Sequence, residues 1–313
     1  MDNILAIMSA EERAAFSLCA LYERAGYQKY RMSKFEEYAL YVQNKDFLVS
    51  ENVITFTDTD GKLLALKPDV TLSIIKNTRV KNGVMKVYYK ENVYRVSKGT
   101  RSFRELMQAG LECLGEVTAE TVIEVLSLAK KSLDHICPEN LLEISHLDIV
   151  SGVLSAFHIG EEARAEILVH LGEKNESAVR AVALREGLSA EQAALICRLV
   201  TLYGAPEKVL PALKELAVTP EIAAAVAELC AIVEGLAALG IKDRLIIDFS
   251  VVNDMNYYNG IAFKGFVEGV PAGILSGGEY DGLLKKMQKK ERGIGFAVYM
   301  DELSRLEQMK GEA

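Results

Sequence analysis

The chain has 313 residues, 50% hydrophobic and 26% charged, a size and balance that support a large buried core and about two domains. Acids outnumber bases 44 to 36, a net charge of −8, which excludes a protein that grips nucleic acid through a general excess of cations. No apolar run reaches membrane-spanning length and residues 1–10 are too short and too acidic for a secretion signal, while Cys19, Cys113, Cys137, Cys197 and Cys230 are too scattered for a disulfide frame or metal site; they read as reduced thiols of a cytoplasmic protein.

Ser9 and Glu12 form a capping box ahead of a helix that keeps its apolar spacing through Leu21 and stops at Gly26. A short strand follows Tyr27, and then comes Phe35-Glu36-Glu37-Tyr38. Residues 52–59 and 63–66 read as a hairpin turning on Asp60-Gly61. Pro68 ends its second strand within Lys67-Pro68-Asp69-Val70-Thr71, where Thr71 is expected to cap a helix beginning at Leu72. Residues 84–115 form a long antiparallel hairpin. β-Branched and aromatic residues fill 85–89 and 92–96, Ser97-Lys98-Gly99-Thr100 is turn chemistry, and alternation resumes from Arg104 to Cys113. Arg95, Arg101 and Arg104 lie near its loop, and the strand period of two puts Arg104, Gln108 and Glu112 on one face.

Residues 119–136 are an amphipathic helix with Val122, Val125, Leu126, Ala129 and Leu133 on one side, and 141–145 a strand. From Ile149 to Leu239 helices succeed one another without a strand-like run, the longest opened by Thr219-Pro220 as cap and first-turn proline. Sheet character returns at 245–252, 260–267 and 271–275, the last closed by Gly277-Gly278, then at 293–300 before a helix at 301–309. This order is an α+β core in two parts, 1–148 and 241–313, interrupted by an all-helical insertion domain at 149–240. The run Lys285, Lys286, Lys289, Lys290, Arg292 reads as a solvated helix face. None of His135, His146, His158 and His170 forms a metal-ligand pair and no glycine-rich phosphate loop precedes a helix, so no metal or cofactor is expected. His146, at a strand end, reads as a capping or packing residue.

Several segments resemble motifs of the histidyl-tRNA synthetases, a class II aminoacyl-tRNA synthetase family. The 84–115 hairpin, with Arg95 and the return strand RELMQAGLE, resembles the second signature motif of that class. KPDVT resembles the RPEGT segment and is closer to the regulatory paralogues of the enzyme. Residues 252–260, VNDMNYYNG, resemble RGLDYYTG, and 276–283, SGGEYDGL, resemble GGRYDxL. Taken alone, Tyr257 and Tyr258 would equally serve core packing. The resemblance covers nearly the whole chain. It implies a class II synthetase-like antiparallel sheet flanked by helices, with Arg95 where an arginine holds the ATP α-phosphate and a histidine pocket built from Asp69, Thr71, Gln108, Glu112, Tyr257 and Tyr258. Asp69 and Thr71 match the positions that hold the α-amino group.

The departures from the enzyme pattern are equally specific. Asn253 stands where an arginine acts on the histidine carboxylate and ATP, Glu302 where the third-motif arginine holds the γ-phosphate, and Glu279 where GGRYD has its cation. Ser97 replaces a glutamate two residues after Arg95, and Ser33 a proline of the first motif, which lies at the dimer interface of the class. Adenylylation depends on positioned cations, so these changes point away from catalysis. The chain also ends just after the third motif, without the anticodon-binding domain of roughly a hundred residues. The resemblance therefore narrows to the regulatory subunit of ATP phosphoribosyltransferase. That family is a non-catalytic partner of the short-form catalytic subunit, with homodimers inside a hetero-octamer, no tRNA binding, and histidine as feedback effector of histidine biosynthesis. An altered histidyl-tRNA synthetase and a free-standing amino-acid-binding module are the alternatives.

Overall fold

A computed structural model describes residues 7–48, 53–80, 82–96, 102–252 and 257–303. In chain order its elements are α1 (Ala10–Arg24), β1 (Gln28–Lys29), β2 (Phe35–Glu37), α2 (Tyr38–Gln43), β3 (Thr55–Thr57), β4 (Leu63–Leu66), α3 (Thr71–Asn77), β5 (Val84–Val96), β6 (Phe103–Gly115), α4 (Ala119–Ile136) and β7 (Asn140–His146). The helical stretch comprises α5 (Leu147–Ala156), α6 (Glu161–Gly172), α7 (Glu176–Arg185), α8 (Ala190–Thr201), the two-residue β8 (Tyr203–Gly204), α9 (Pro206–Leu213) and α10 (Pro220–Ala238). The chain returns through β9 (Leu245–Asp248), β10 (Asn259–Val267), β11 (Leu275–Glu279), α11 (Asp281–Lys286) and β12 (Arg292–Tyr299).

Nine strands make one mixed, mainly antiparallel sheet in the order β1-β5-β6-β12-β11-β10-β7-β9-β8, and β2-β4-β3 make a small separate one. The β5–β6 hairpin runs in unbroken antiparallel register from Val84↔Gly115 to Val96↔Phe103, and β12 joins it with Gly295 opposite Glu112. Period-two alternation then divides the apolar residues between two cores. On one face Tyr88, Leu111, Cys113, Ile294 and Phe296 pack under α1, α4 and the helical stretch. On the other, Val87, Tyr89, Val93 and Leu114 pack with Leu72, Ile74 and Ile75 of α3 and with Leu283 and Leu284 of α11. The candidate site lies on this second face.

Local signals explain most element ends. Ser9 and Glu12 form the capping box, and Gly26 (φ 89°) takes the left-handed conformation that follows α1. Asp58 accepts from the backbone N–H of Asp60 and of Lys62 to fold the β3–β4 turn, with Gly61 at φ 80°. Glu36 of β2 accepts from Ser73 Oγ (2.8 Å), Lys76 Nζ (2.9 Å) and Asn77 Nδ2 (2.8 Å), fastening the small sheet to α3.

The structure differs from the sequence reading at five places. Thr71 is the first residue of its helix, not the cap: Asp69 Oδ1 accepts the Leu72 N–H (2.8 Å), freeing the threonine hydroxyl for the site. The strand expected at 271–275 runs instead from Leu275 through Glu279, so Gly277 and Gly278 lie inside it. A Cβ on Gly277 would enter the Phe263 ring and the Gly295 carbonyl, and one on Gly278 the Tyr258 ring, so the glycines here admit close neighbours rather than make a turn. The strand at 245–252 stops at Asp248, whose Oδ1 turns the chain by accepting from Ser250 N (2.8 Å). The helical stretch does contribute a strand, since Tyr203 and Gly204 pair with Asp248 and Ile247 at the sheet margin. The basic run leaves its helix after Lys286. Lys289 Nζ then binds the Thr78 carbonyl (2.7 Å), and Arg292 is drawn into ion pairs. The Ser97–Thr100 turn, Arg101, Asn253 and most of the helix expected at 301–309 lie outside the described residues.

Candidate ligand-binding site

At the centre of the second face is Glu112, only 2% exposed. Its two carboxyl oxygens are held from opposite sides: Thr71 Oγ1 donates to Oε1 at 2.7 Å and Tyr280 Oη to Oε2 at 2.6 Å. Tyr257 lies beside the Thr71 side chain, so Tyr280, Glu112, Thr71 and Tyr257 come together from four separate segments. Gly295, directly opposite Glu112 on β12, has no room for a Cβ because the carboxyl group and the Leu111 carbonyl occupy that space, and Gly293 accommodates the Tyr280 ring likewise. Two glycines thus make space for polar side chains inside a sheet.

Burial dominates the electrostatics. It pushes the Glu112 carboxyl up to about 8, with the charge of Asp69 adding to the rise and the Tyr280 and Thr71 hydrogen bonds opposing it. Asp69, 7% exposed, is also raised by burial, against the Leu72 and Thr71 backbone N–H groups and Arg95. The hydroxyls of Tyr89, Tyr257 and Tyr280 are raised by burial too, with the Glu112 charge contributing to each.

The seven residues expected at the site divide accordingly. Thr71 is hydrogen-bonded to Glu112, Tyr257 lies beside Thr71, and Asp69 acts on Glu112 electrostatically. Tyr258 packs its ring on Tyr257 (centroids 4.8 Å) and over Gly278. Gln108 is buried on the same face, four residues along β6 from Glu112 and opposite Glu91 and Tyr299. Arg95 braces the neighbouring loop, donating from Nε to the Pro68 carbonyl at 2.8 Å. Arg104, expected on the same face, is exposed near the hairpin tip opposite Arg95.

Tyr280 was absent from the expected set, although the buried aromatic that follows Gly277-Gly278 was available as a signal. Lys67 was also missed: it is fully buried beneath the same loop, with Nζ 2.6 Å from Glu91 Oε2, and burial lowers its pKa. His146 is buried with Nε2 3.4 Å from Glu228 Oε2 and makes no side-chain cap, so it is a packing residue.

The histidyl-tRNA synthetase family model matches residues 4–303. An ATP phosphoribosyltransferase regulatory subunit from Thermoanaerobacter sp. (strain X514) is 31% identical over 88% of this chain and 73% of its own length. The chain belongs to this synthetase-like family of regulatory subunits. The crystal structure of an ATP phosphoribosyltransferase regulatory subunit/histidyl-tRNA synthetase from Bacillus halodurans superposes with a TM-score of 0.83 at 25% identity, covering 95% of this chain and 79% of that one. A chain of the ATP phosphoribosyl transferase complex from Thermotoga maritima shares the fold, with a TM-score of 0.73 at 16% identity over 94% of this chain and 98% of its own.

Against the family pattern, Glu279 needs a different explanation from the one its position suggested. It pairs with Ile294 in the sheet and so faces the helical core, away from Glu112. A β-bulge between Asn259 and Ala262 leaves the Ile261 N–H without a ladder partner, and Glu279 Oε2 accepts it at 2.9 Å. Arg292 closes the charge balance, binding Glu279 Oε1 and, at 3.0 Å, both Asp281 Oδ2 and the Val117 carbonyl. Burial still raises the Glu279 carboxyl to about 7. Glu302 is half-buried on the turn after β12.

Proposed function

We propose that this chain is the non-catalytic regulatory subunit of ATP phosphoribosyltransferase, which activates a short-form catalytic subunit in the cytoplasm and carries histidine feedback to the first step of histidine biosynthesis. The observation that carries this reading is the coexistence of an intact acid-and-hydroxyl pocket, Glu112 with Thr71, Tyr257 and Tyr280, with a carboxylate at 302 where the enzyme needs a cation. Adenylylation gathers charge on phosphoryl oxygens, and an acid in place of an arginine changes the local charge by two in the wrong direction. An α-amino acid needs oxygen acceptors for its ammonium group, which Asp69, Thr71 and Glu112 supply, while Tyr257 and Gln108 can serve an imidazole. Asn253 in place of the carboxylate-binding arginine weakens that end of the site, and modest affinity suits a sensor.

The small sheet supports a homodimer as the building block of a larger assembly with catalytic subunits, for which the family precedent is a hetero-octamer. Phe35, Val42, Phe56 and Leu63 are all more than a third exposed, and Val42 and Leu63 line a groove with Tyr38, Ala39 and Lys62. Among the described residues no helix is long and apolar enough to cross a membrane. The two-part core at 1–148 and 241–313 around the helical insertion belongs to the same reading. Three measurements test the proposal together. The purified chain should show no histidine-dependent ATP–pyrophosphate exchange and no tRNA charging. A short-form catalytic subunit of the same organism should co-elute with it and gain activity. Glu112→Gln should weaken both histidine binding and feedback inhibition of the complex. Robust exchange would favour the altered synthetase, and a catalytic subunit indifferent to this chain would leave an amino-acid-binding module.

A further inference from the structure

Glu112 is a buried acid whose two hydrogen-bonding partners are both hydroxyls, with a second buried acid, Asp69, acting on it. Among the described residues, the titratable and charged groups that face it are Asp69 from the loop before α3, Tyr89 from β5, Tyr257 from the segment before β10 and Tyr280 from the start of α11; Arg95 acts on Asp69 and donates to Pro68. Among the described residues, none of the groups bonded to Glu112 is a cation. A carboxylate buried in such a place is stabilised by two dipoles but, among the described residues, balanced by no bonded charge. Hydroxyls both donate and accept, so the same two partners satisfy the acid and the carboxylate by rotating their protons.

We propose that the pocket binds its ligand by exchanging a proton for a cation: empty, Glu112 is the neutral acid, and an entering ammonium or imidazolium group displaces its proton to solvent and leaves a carboxylate–cation pair. This deepens the reading of the site as an amino-acid pocket and rests on it. The balance is simple, because the carboxylic acid gives up one proton to buffer and the ligand keeps its charge. Selectivity follows, since a neutral ligand has nothing to offer the carboxylate in return and gains only the hydrogen bonds the acid can already make. The raised titration of Glu112, to about 8, agrees with a neutral acid in the empty pocket at neutral pH.

The test is calorimetry of histidine binding near pH 7 in two buffers of different ionisation enthalpy. Wild type should release about 0.9 proton per ligand bound, and Glu112→Gln none from this position. The wild-type Kd should fall by up to about tenfold per pH unit below pH 8 and level off above it, steeper than in Glu112→Gln, where only the ligand's own titration remains. In case the variant binds too weakly to compare, the 13C resonance of the Glu112 carboxyl in the ligand-free wild type gives an independent reading. Titration above pH 7 that histidine moves down supports the exchange. Binding without proton release, or titration of the free protein near the ordinary carboxylate range, overturns it while leaving the pocket a ligand site. Failure of any amino acid to bind overturns the pocket reading itself, and the exchange with it.

Discussion

Replacing Arg292 by methionine would remove a cation bonded to Glu279 and keep most of the aliphatic volume. Glu279 is 1% exposed, whereas the Arg292 side chain is 44% exposed, so the pair is buried at one end and wet at the other. Breaking a fully buried pair costs about 3–5 kcal/mol, and solvent screening at the arginine reduces this to an expected ~2–3 kcal/mol. The loss should depend on pH. Glu279 titrates near 7 in the folded protein against an ordinary 4.5, so its contribution to stability is complete below about 4.5 and is lost as pH rises through 7. Without Arg292 that titration moves higher still, so the variant should lie close to wild type near pH 6 and show its full deficit near pH 8.5. Urea unfolding followed by circular dichroism at both values reads the difference. Glu279→Gln keeps an acceptor for the Ile261 N–H, so in the Glu279→Gln/Arg292→Met pair most of the deficit should vanish. Equal losses at the two pH values, or a double variant that is the sum of its singles within ~0.5 kcal/mol, would refute the assignment of Glu279 and Arg292 as a coupled support of the bulge.

Gly295→Ala sets a Cβ against both the Glu112 carboxyl and the Leu111 carbonyl, which as backbone cannot move aside, so thermal denaturation should report a loss of at least ~2 kcal/mol or no folded protein. Tyr280→Phe leaves Glu112 Oε2 without its donor and should cost ~1–3 kcal/mol while shifting the carboxyl titration upward, which NMR would follow. Lys67→Met should be nearly neutral by the same denaturation assay, because the partner left behind, Glu91, is itself 20% exposed and can reach water.

The sequence was most legible where one local signal had one physical meaning. The Ser9–Glu12 capping box, the Asp60-Gly61 turn and the alternation along residues 84–115 all appear in the fold as read. It was least legible where a residue's role depended on a distant neighbour. Gly277-Gly278 carries the same symbols whether it turns a chain or admits the Phe263 and Tyr258 rings, and only the packed sheet distinguishes the two. Thr71 resembled a cap because hydroxyls cap helices, but Asp69 lies closer to the free N–H groups and the threonine turns to Glu112. Tyr280 and Glu112 are 168 residues apart, beyond any periodicity, and the carboxylate of Glu279 could be read as a lost cation only while the face it occupies was unknown.

The margins of the large sheet also bear on how this chain can meet others. Both outermost strands, β1 and β8, are two residues long, although β5 and β6 beside one margin have thirteen each. Along the outer side of β5, isolated bonds from Tyr30 N to the Tyr88 carbonyl and from Tyr94 N to the Lys67 carbonyl occupy positions that a foreign strand would use. A sheet so blunted offers no template for backbone zippering, which protects a strand-rich chain from runaway edge-to-edge association. Contacts made along these two margins must therefore be written in side chains, where a single substitution can change the choice of partner without disturbing the ladder beneath.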